Sequence, residues 1–499
     1  MNNDITFLFH DYETFGADPR RDRPAQFAAI RTDINFKKVD EPFMIYAKMQ
    51  EDTLPSPTAC MITKITPSEV NEKGIPEIEF IKKINEEMKI PNTCSLGYNT
   101  IQFDDEVTRN TLYRNLLDPY EREYKNNCTR WDLIDVVRMT VALFPETLVL
   151  GERDGKPSYK LEELSKANGI IHEAAHDALS DVWATIGIAK IIKEKQDKLF
   201  NMLFEKRMKN NILEAINTGL PLITASSFFG LDKKYVDFIL PITENPNNKN
   251  EFFCVKLSRS KEEIENLISN SSEFIKELLY SSNDELLEKG KERPGFHVLK
   301  INKCPVLLTS NDLKELFDDE SRKNLYSRLG FDMNLIIDSY KYVKSKKEEI
   351  KKILLEVYKP MEYAKLLDSD IRIYDGFASF KDKKQFNYFH IDLENGKESK
   401  HINANFDDSR YNEMIFRAIV RNYPEKLEKM PQSYKDKWYN HCFERLHNKI
   451  NDSVNYSFED FFKEIEELKV NEKYKDSSYQ NVLKELNDYG LKLKEKYKA

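Results

Sequence analysis

A short apolar run, Thr6-Phe7-Leu8-Phe9-His10, passes directly into Asp11-Tyr12-Glu13, and this junction limits what the chain can fold into. Residues 5 to 9 read as a buried strand. In a strand, residues i and i+2 project to the same face, so Asp11 and Glu13 at its end aim two carboxylates at one point. At about 4 Å and an effective dielectric of about 20, two such charges repel by roughly 4 kcal/mol. The arrangement makes sense when a divalent cation sits between them. Hard oxygen ligands of this kind suit Mg²⁺ or Mn²⁺.

Further apolar segments at 27–30 and 43–46 extend this strand to a three-stranded start. Thr66-Pro67 suits the opening of a short helix, and helical spacing over 78–88 precedes another strand at 94–98. Helical patterns follow at 103–117, 131–144, 160–167 and 177–195. Strands first, then helices mixed with strands, predict an α/β layer domain. After residue 196 the texture changes to apolar strand-like pieces (221–223, 252–257, 298–301) separated by turns such as Asn245 to Asn248, which predicts a small β-rich domain. From about residue 350, amphipathic patterns such as NEMIFRAIVRNY and FEDFFKEIEELKV predict a helical domain, interrupted by one hairpin signal at Asn395-Gly396. The boundaries read in this way are 1–195, 196–349 and 350–499.

At 499 residues the chain is longer than one hydrophobic core usually serves. Hydrophobic residues make up 40% of it, enough for packed cores and against global disorder. Six cysteines are scattered with no C-x-x-C pair, which fits neither a zinc cage nor a disulfide framework and points to a reducing cytoplasm. The N-terminus has no basic region ahead of its apolar run, so it does not resemble a signal peptide, and no stretch reaches the roughly 20 apolar residues of a membrane span. The net charge of −8 runs against phosphate binding by the chain as a whole, but net charge over several domains says little about one groove.

D-x-E alone carries little weight, because it occurs four times, beginning at Asp11, Asp104, Asp318 and Asp392. H-x-x-x-x-D occurs at His172, His176 and His447, and F-D-D at Phe103, Phe317 and Phe406. Order and spacing discriminate between them. The set Asp392-x-Glu394, Phe406-Asp407-Asp408, His447 has the right order, but only twelve residues separate Glu394 from Asp407, too few for further strands and a helix. In the N-terminal set, ninety residues lie between Glu13 and Asp104. Asp104 opens a helical segment, and Asp105 beside it points roughly 100° away. Asp181 lies in the helical pattern after Asp177, beside Ala178, Ala184 and Thr185, small residues that allow close approach to the strand of Asp11. His176 precedes that helix and Asp177 suits its N-cap; His172 with Asp177 is the competing register. An imidazole is well placed to take a proton from water at neutral pH. In this reading Asp11, Glu13, Asp104 and Asp181 hold two cations and His176 is the general base.

As D-Y-E-T-F, N-x-x-x-F-D-D-E and A-H-D-A-x-x-D, these residues resemble the motifs of the DEDDh group of 3′-to-5′ exonucleases. HDYETFG, DRPAQFAAIRTD, LGYN, QFDDEVTRN, RWDL, KANGI and INKCPVL together resemble the bacterial exodeoxyribonuclease I family, through essentially the whole chain and most densely before residue 185. The resemblance selects Asp104 over Asp105 and His176 over His172. It implies a ribonuclease-H-like exonuclease domain, an SH3-like β-barrel domain and a C-terminal helical domain. It also implies processive, Mg²⁺-dependent degradation of single-stranded DNA from the 3′ end to 5′-mononucleotides, in DNA repair and recombination, by a monomer. Glu13 and Lys160 would touch the terminal nucleotide, and Arg109, Tyr120, Tyr124 and Arg138 would line the DNA path by charge and stacking. Lys160 stands where the family has Arg, which loses bidentate phosphate geometry but keeps the charge. Family members bind the acidic tail of single-stranded DNA-binding protein through basic residues, and Phe144 occupies one of those positions. The rival readings are an exoribonuclease or proofreading exonuclease of the same chemistry, and a non-catalytic DNA-binding scaffold. The presence of all five catalytic positions argues against the scaffold.

Overall fold

The computed structural model describes residues 4–170, 177–281, 283–360, 366–450 and 453–498. The chain forms two units, one of Met1–Arg130, His172–Ile186 and Ala364–Ala499, the other of Trp131–Ile171 and Gly187–Tyr363.

The first unit is built on a five-stranded sheet of β1 (Thr6–Thr14), β2 (Pro24–Thr32), β3 (Phe43–Tyr46), β4 (Thr93–Gly97) and β5 (Thr129–Asp132), in the order β3-β2-β1-β4-β5. β1 continues well past the apolar run that announces it, because β2 pairs with it antiparallel from Phe7↔Thr32 to Glu13↔Gln26. β4 runs parallel to β1 but pairs only from Thr6↔Thr93 to Phe9↔Leu96. The carboxylate-bearing half of β1 therefore pairs with another strand on the β2 side alone.

The helix Glu77–Met88 lays Phe80, Ile81, Ile84 and Met88 against Leu8, Tyr12 and Phe27 of the sheet, the spacing of one helical face. A second core joins Phe15, Leu54, Cys60 and Met61 to Met414, Ile415, Ile419, Phe461 and Leu483 of the C-terminal helices. That core encloses a charged network. Arg421 bonds Asp52 at 2.6 Å and also pairs with Asp370, Arg417 lies 3.0 Å from Asp368, and Arg445 lies 3.0 Å from Asp368.

The second unit contains a hairpin of β6 (Gly151–Arg153) and β7 (Lys156–Ser158), turned by Asp154 and Gly155 at φ 53° and 72°. It also contains a five-stranded sheet of β8 (Leu222–Ala225), β9 (Val236–Asn245), β10 (Asn248–Lys256), β11 (Phe296–Lys300) and β12 (Leu307–Thr309), in the order β11-β10-β9-β8-β12 with every neighbouring pair antiparallel. Three of these strands coincide with the predicted apolar pieces, and β9 and β12 do not. This unit holds more helix than its sequence texture suggests, including Asp197–Lys206, Lys261–Ile268, Ser272–Tyr280 and Met333–Ser345. The expected hairpin at Asn395-Gly396 is instead a helix end: Phe380–Glu394 is helical, Asn395 caps it and Gly396 follows at φ 67°.

Candidate active site

Asp11 and Glu13 project from one face of β1, and the helix Ala178–Lys195 brings Asp181 to them. Among the described residues, one ligand oxygen from each of these three carboxylates lies within 4.8 Å of the others. Ala178, Ala184 and Thr185 are buried, as close packing of this helix requires.

Asp104 arrives through β4. Gly97 at the end of that strand allows the turn: a Cβ there would stand 2.5 Å from the His10 carbonyl and 2.3 Å from Thr100 Cγ2. Asp104 then opens the helix Asp104–Arg114, and its Oδ1 accepts the Tyr12 amide at 3.0 Å, on the part of β1 that β4 no longer pairs. Thr108, one turn further on, lies 3.0 Å from the Tyr12 hydroxyl and 2.9 Å from the Asp104 carbonyl. Asp104 is thus held to the backbone of the residue that separates Asp11 from Glu13, although the three converging oxygens are those of Asp11, Glu13 and Asp181.

Burial, followed by Asp104, Glu13, Asp181 and Asp177, raises the Asp11 carboxyl well above its ordinary range. Burial, Asp181, Asp104 and Asp177 do the same to Glu13. The cluster therefore carries a concentration of negative charge that a divalent cation would neutralise, and its all-oxygen donor set fits Mg²⁺ or Mn²⁺. Asp105 is the opposite case. Burial would raise it, but Arg122 at 2.7 Å and Arg130 at 2.6 Å, with Arg109 nearby, hold it far below the usual carboxylate range. His10, the nearest histidine in sequence, is buried against Phe27, and burial lowers its pKa to about 4.

His176 and the competing His172 lie outside the described residues. Asp177 behaves as the N-cap: its carbonyl accepts the Ser180 and Asp181 amides at 2.9 and 3.1 Å. Of the residues expected to line a DNA path, Arg109, Tyr120 and Tyr124 belong to the first unit. Arg109 is buried, with its guanidinium bonded to Glu123 at 2.7 and 2.8 Å and to Glu106 at 2.7 Å, and it lies 5.3 Å from the Tyr120 ring. Tyr120 meets Phe377 edge-on, and Tyr124 is 65% exposed. Lys160 and Arg138 belong to the second unit. Lys160 is exposed at the start of the helix Leu161–Ala167, whereas Arg138 pairs with Asp135 at 2.6 Å and lies over Tyr235. Sequence reasoning missed Gln26, which bonds Asp177, and Tyr46, whose hydroxyl accepts from Gln26; a lone Gln inside the apolar run PAQFAAI is the signal that could have found Gln26.

A sheet of order β3-β2-β1-β4-β5, with β1 carrying converging carboxylates beyond its last pairing to β4, defines a ribonuclease-H-like exonuclease domain. Residues 8–189 match the exonuclease family, 207–360 the exonuclease I SH3-like domain and 367–493 the exonuclease I C-terminal domain. The chain is 38% identical to exodeoxyribonuclease I of Haemophilus influenzae, over 99% of its own length and 100% of the relative's. It superposes on the zinc-bound form of the Escherichia coli exonuclease I complex with single-stranded DNA at TM-score 0.87 and 34% identity, covering 98% of this chain and 99% of that one. A structure of SSB/exonuclease I with an inhibitor matches at TM-score 0.83 and 34% identity, covering 98% and 99%. The chain belongs to the exodeoxyribonuclease I family and is a 3′-to-5′ exonuclease. Among the described residues, no helix is long and apolar enough to cross a membrane.

Proposed function

We propose that the protein degrades single-stranded DNA processively from its 3′ end to 5′-mononucleotides, with two Mg²⁺ ions held by Asp11, Glu13, Asp104 and Asp181 and with His176 as general base, in DNA repair and recombination. The observation that carries this reading is the convergence of Asp11, Glu13 and Asp181 oxygens within 4.8 Å. The cations, when bound, supply a water of lowered pKa and charge neutralisation for the scissile phosphate. His176 takes the proton of the attacking water, and the leaving group is the 3′-oxygen of the preceding nucleotide. Glu13 also faces the terminal nucleotide, and Lys160 supplies one positive charge to its phosphate. Tyr120, held by Arg109, and the exposed Tyr124 offer rings to the DNA, and Arg138 is assigned to the same path for its charge.

The relative bound to single-stranded DNA supports that substrate, and its bound zinc supports a divalent-cation site, with Mn²⁺ as an alternative to Mg²⁺. The complex of SSB with exonuclease I supports single-stranded DNA-binding protein as a partner. Six free thiols suit a cytoplasmic enzyme, which we take to act as a monomer. We assign 1–195 to the exonuclease domain, 196–349 to the SH3-like domain and 350–499 to the helical domain. The test presents 5′-labelled single-stranded DNA, duplex DNA and RNA of equal length to the purified protein with and without Mg²⁺. Metal-dependent shortening of the single-stranded DNA is expected. Preferential cleavage of RNA, or no shortening of any substrate, would overturn the reading.

A further inference from the structure

We propose that Gln26 is a positioning residue: it fixes the first turn of the helix that carries Asp181 and holds the Asp177 carboxylate out of the metal-binding cluster. The inference rests on the metal-dependent reading above.

Gln26 is buried in β2 opposite Glu13, so the two side chains are neighbours on one face of the sheet. Burying a primary amide without partners costs on the order of 2 kcal/mol or more, and packing alone would be served by Leu or Met. This amide is fully used. Its Nε2 donates to the Tyr46 hydroxyl at 2.9 Å and to Asp177 Oδ1 at 3.2 Å, while its Oε1 accepts the Ala178 amide at 3.2 Å. The last bond satisfies one of the N–H groups that a helix start leaves without an intrahelical acceptor. β2, β3 and the helix start are thereby tied at one point.

Asp177 and Asp181 are one helical turn apart and share a face. Asp177 is near enough to act electrostatically on both Asp11 and Glu13. Among the described residues, however, the converging oxygens come from Asp11, Glu13 and Asp181 and not from Asp177. The Gln26 amide accounts for the difference, because it engages Asp177 and leaves Asp181 to face the cluster. Without it, a further carboxylate is released beside the cation site and the turn carrying Asp181 loses its anchor.

The test measures Mn²⁺ binding to the DNA-free protein by electron paramagnetic resonance, together with kcat and KM on single-stranded DNA. Gln26→Met is expected to weaken Mn²⁺ binding and to lower kcat by about tenfold each, the lower end for a residue that orients metal ligands. KM should stay within about twofold, because substrate binding is not what the residue serves. Gln26→Glu sets a carboxylate against Asp177 and is expected to be worse. Adding Asp177→Asn to Gln26→Glu restores a donor–acceptor pair of reversed sense and should recover most of the Mn²⁺ affinity, a response that a packing role would not give. If Gln26→Met does not fold, the comparison of Gln26→Glu with and without Asp177→Asn decides the question. Wild-type Mn²⁺ affinity and kcat in folded Gln26→Met, or a double variant no better than Gln26→Glu, would overturn the assignment. If Asp181→Ala binds Mn²⁺ as tightly as the wild type, the metal reading itself fails and takes this inference with it.

Discussion

Asp104 and Asp105 are adjacent in sequence and opposite in circumstance. Asp104 acts electrostatically on Asp11 and Glu13 and takes the Tyr12 amide, whereas Asp105 is paired to two buried arginines. Asp105→Asn leaves Arg122 and Arg130 with only the carboxylate of Glu123, which Arg109 also engages, and is expected to destabilise the protein by about 3–5 kcal/mol. Asp104→Asn should leave unfolding in urea nearly unchanged and reduce kcat by about a hundredfold or more. Urea unfolding and kcat on both variants check the pair, and the reverse pattern would exchange the two roles. Helical geometry separates these residues by angle in the sequence alone. The partners of Asp105 could not be read, because Arg122 and Arg130 reach it across loops that carry no periodic signal.

The raised Asp11 and Glu13 carboxyls have a consequence for stability. A carboxyl with a raised pKa binds more protons folded than unfolded, so without metal its contribution to stability falls as pH rises above the ordinary values of 3.8 for Asp and 4.5 for Glu. The buried His10, His390 and His441, each lowered to about 4, act in the other direction: their contribution is present above 6.5 and is lost as pH falls toward 4. Comparing Asp11→Asn with the wild type cancels the histidines. Metal-free Asp11→Asn is expected to melt higher than the wild type at pH 8, with a smaller difference at pH 5, while losing activity. A lower melting temperature at pH 8 would contradict the electrostatics of the cluster.

At the scale of elements, β1 to β4 were readable because each carries its own apolar run and the helix before β4 keeps one apolar face, whereas β5, Thr-Arg-Trp-Asp, carries no such run and overlaps the start of the expected helix at 131–144. β9 was not readable either. Its sequence VDFILPITEN contains Pro241, which reads as a breaker, yet Pro241 pairs with Cys254 where the register shifts between Phe253 and Cys254. Such an irregularity is where a strand admits proline. The second acidic set fails for a reason beyond its spacing: Asp392 lies in a helix and is engaged by Lys400 at 2.8 Å and His401 at 2.6 Å. The C-terminal helices are recognisable by period, but the ionic network that ties them to the N-terminal segment is not, since Asp52 and Arg421 are far apart in sequence and each reads as an ordinary surface charge. Arg421→Ala would leave Asp52 and Asp370 to Arg445 and Arg417 and open a cavity in the core, and is expected to cost about 3–5 kcal/mol, whereas Arg421→Met keeps most of the side-chain volume and should cost less. Equal losses in the two variants, measured by urea unfolding, would show that charge pairing and not packing dominates there.

Over the whole molecule, three sequence textures foretold an α/β domain, a β-rich middle and a helical end, and the exonuclease, SH3-like and C-terminal family segments follow in that order. The net charge of −8 was the one bulk property pointing away from DNA. Part of its explanation is local: carboxylates are concentrated at the end of β1, where a divalent cation would offset them. Composition could not reveal this, because the same letters recur in the second acidic set; ordered spacing and then three-dimensional placement distinguish the two. The central claim, that the end of β1 is a divalent-cation site, is tested most directly by anomalous diffraction from crystals of the protein soaked in Mn²⁺. Peaks about 2.0–2.4 Å from carboxylate oxygens of Asp11 and Asp181 are expected, and Mn²⁺ bound elsewhere with no peak at these residues would contradict the account.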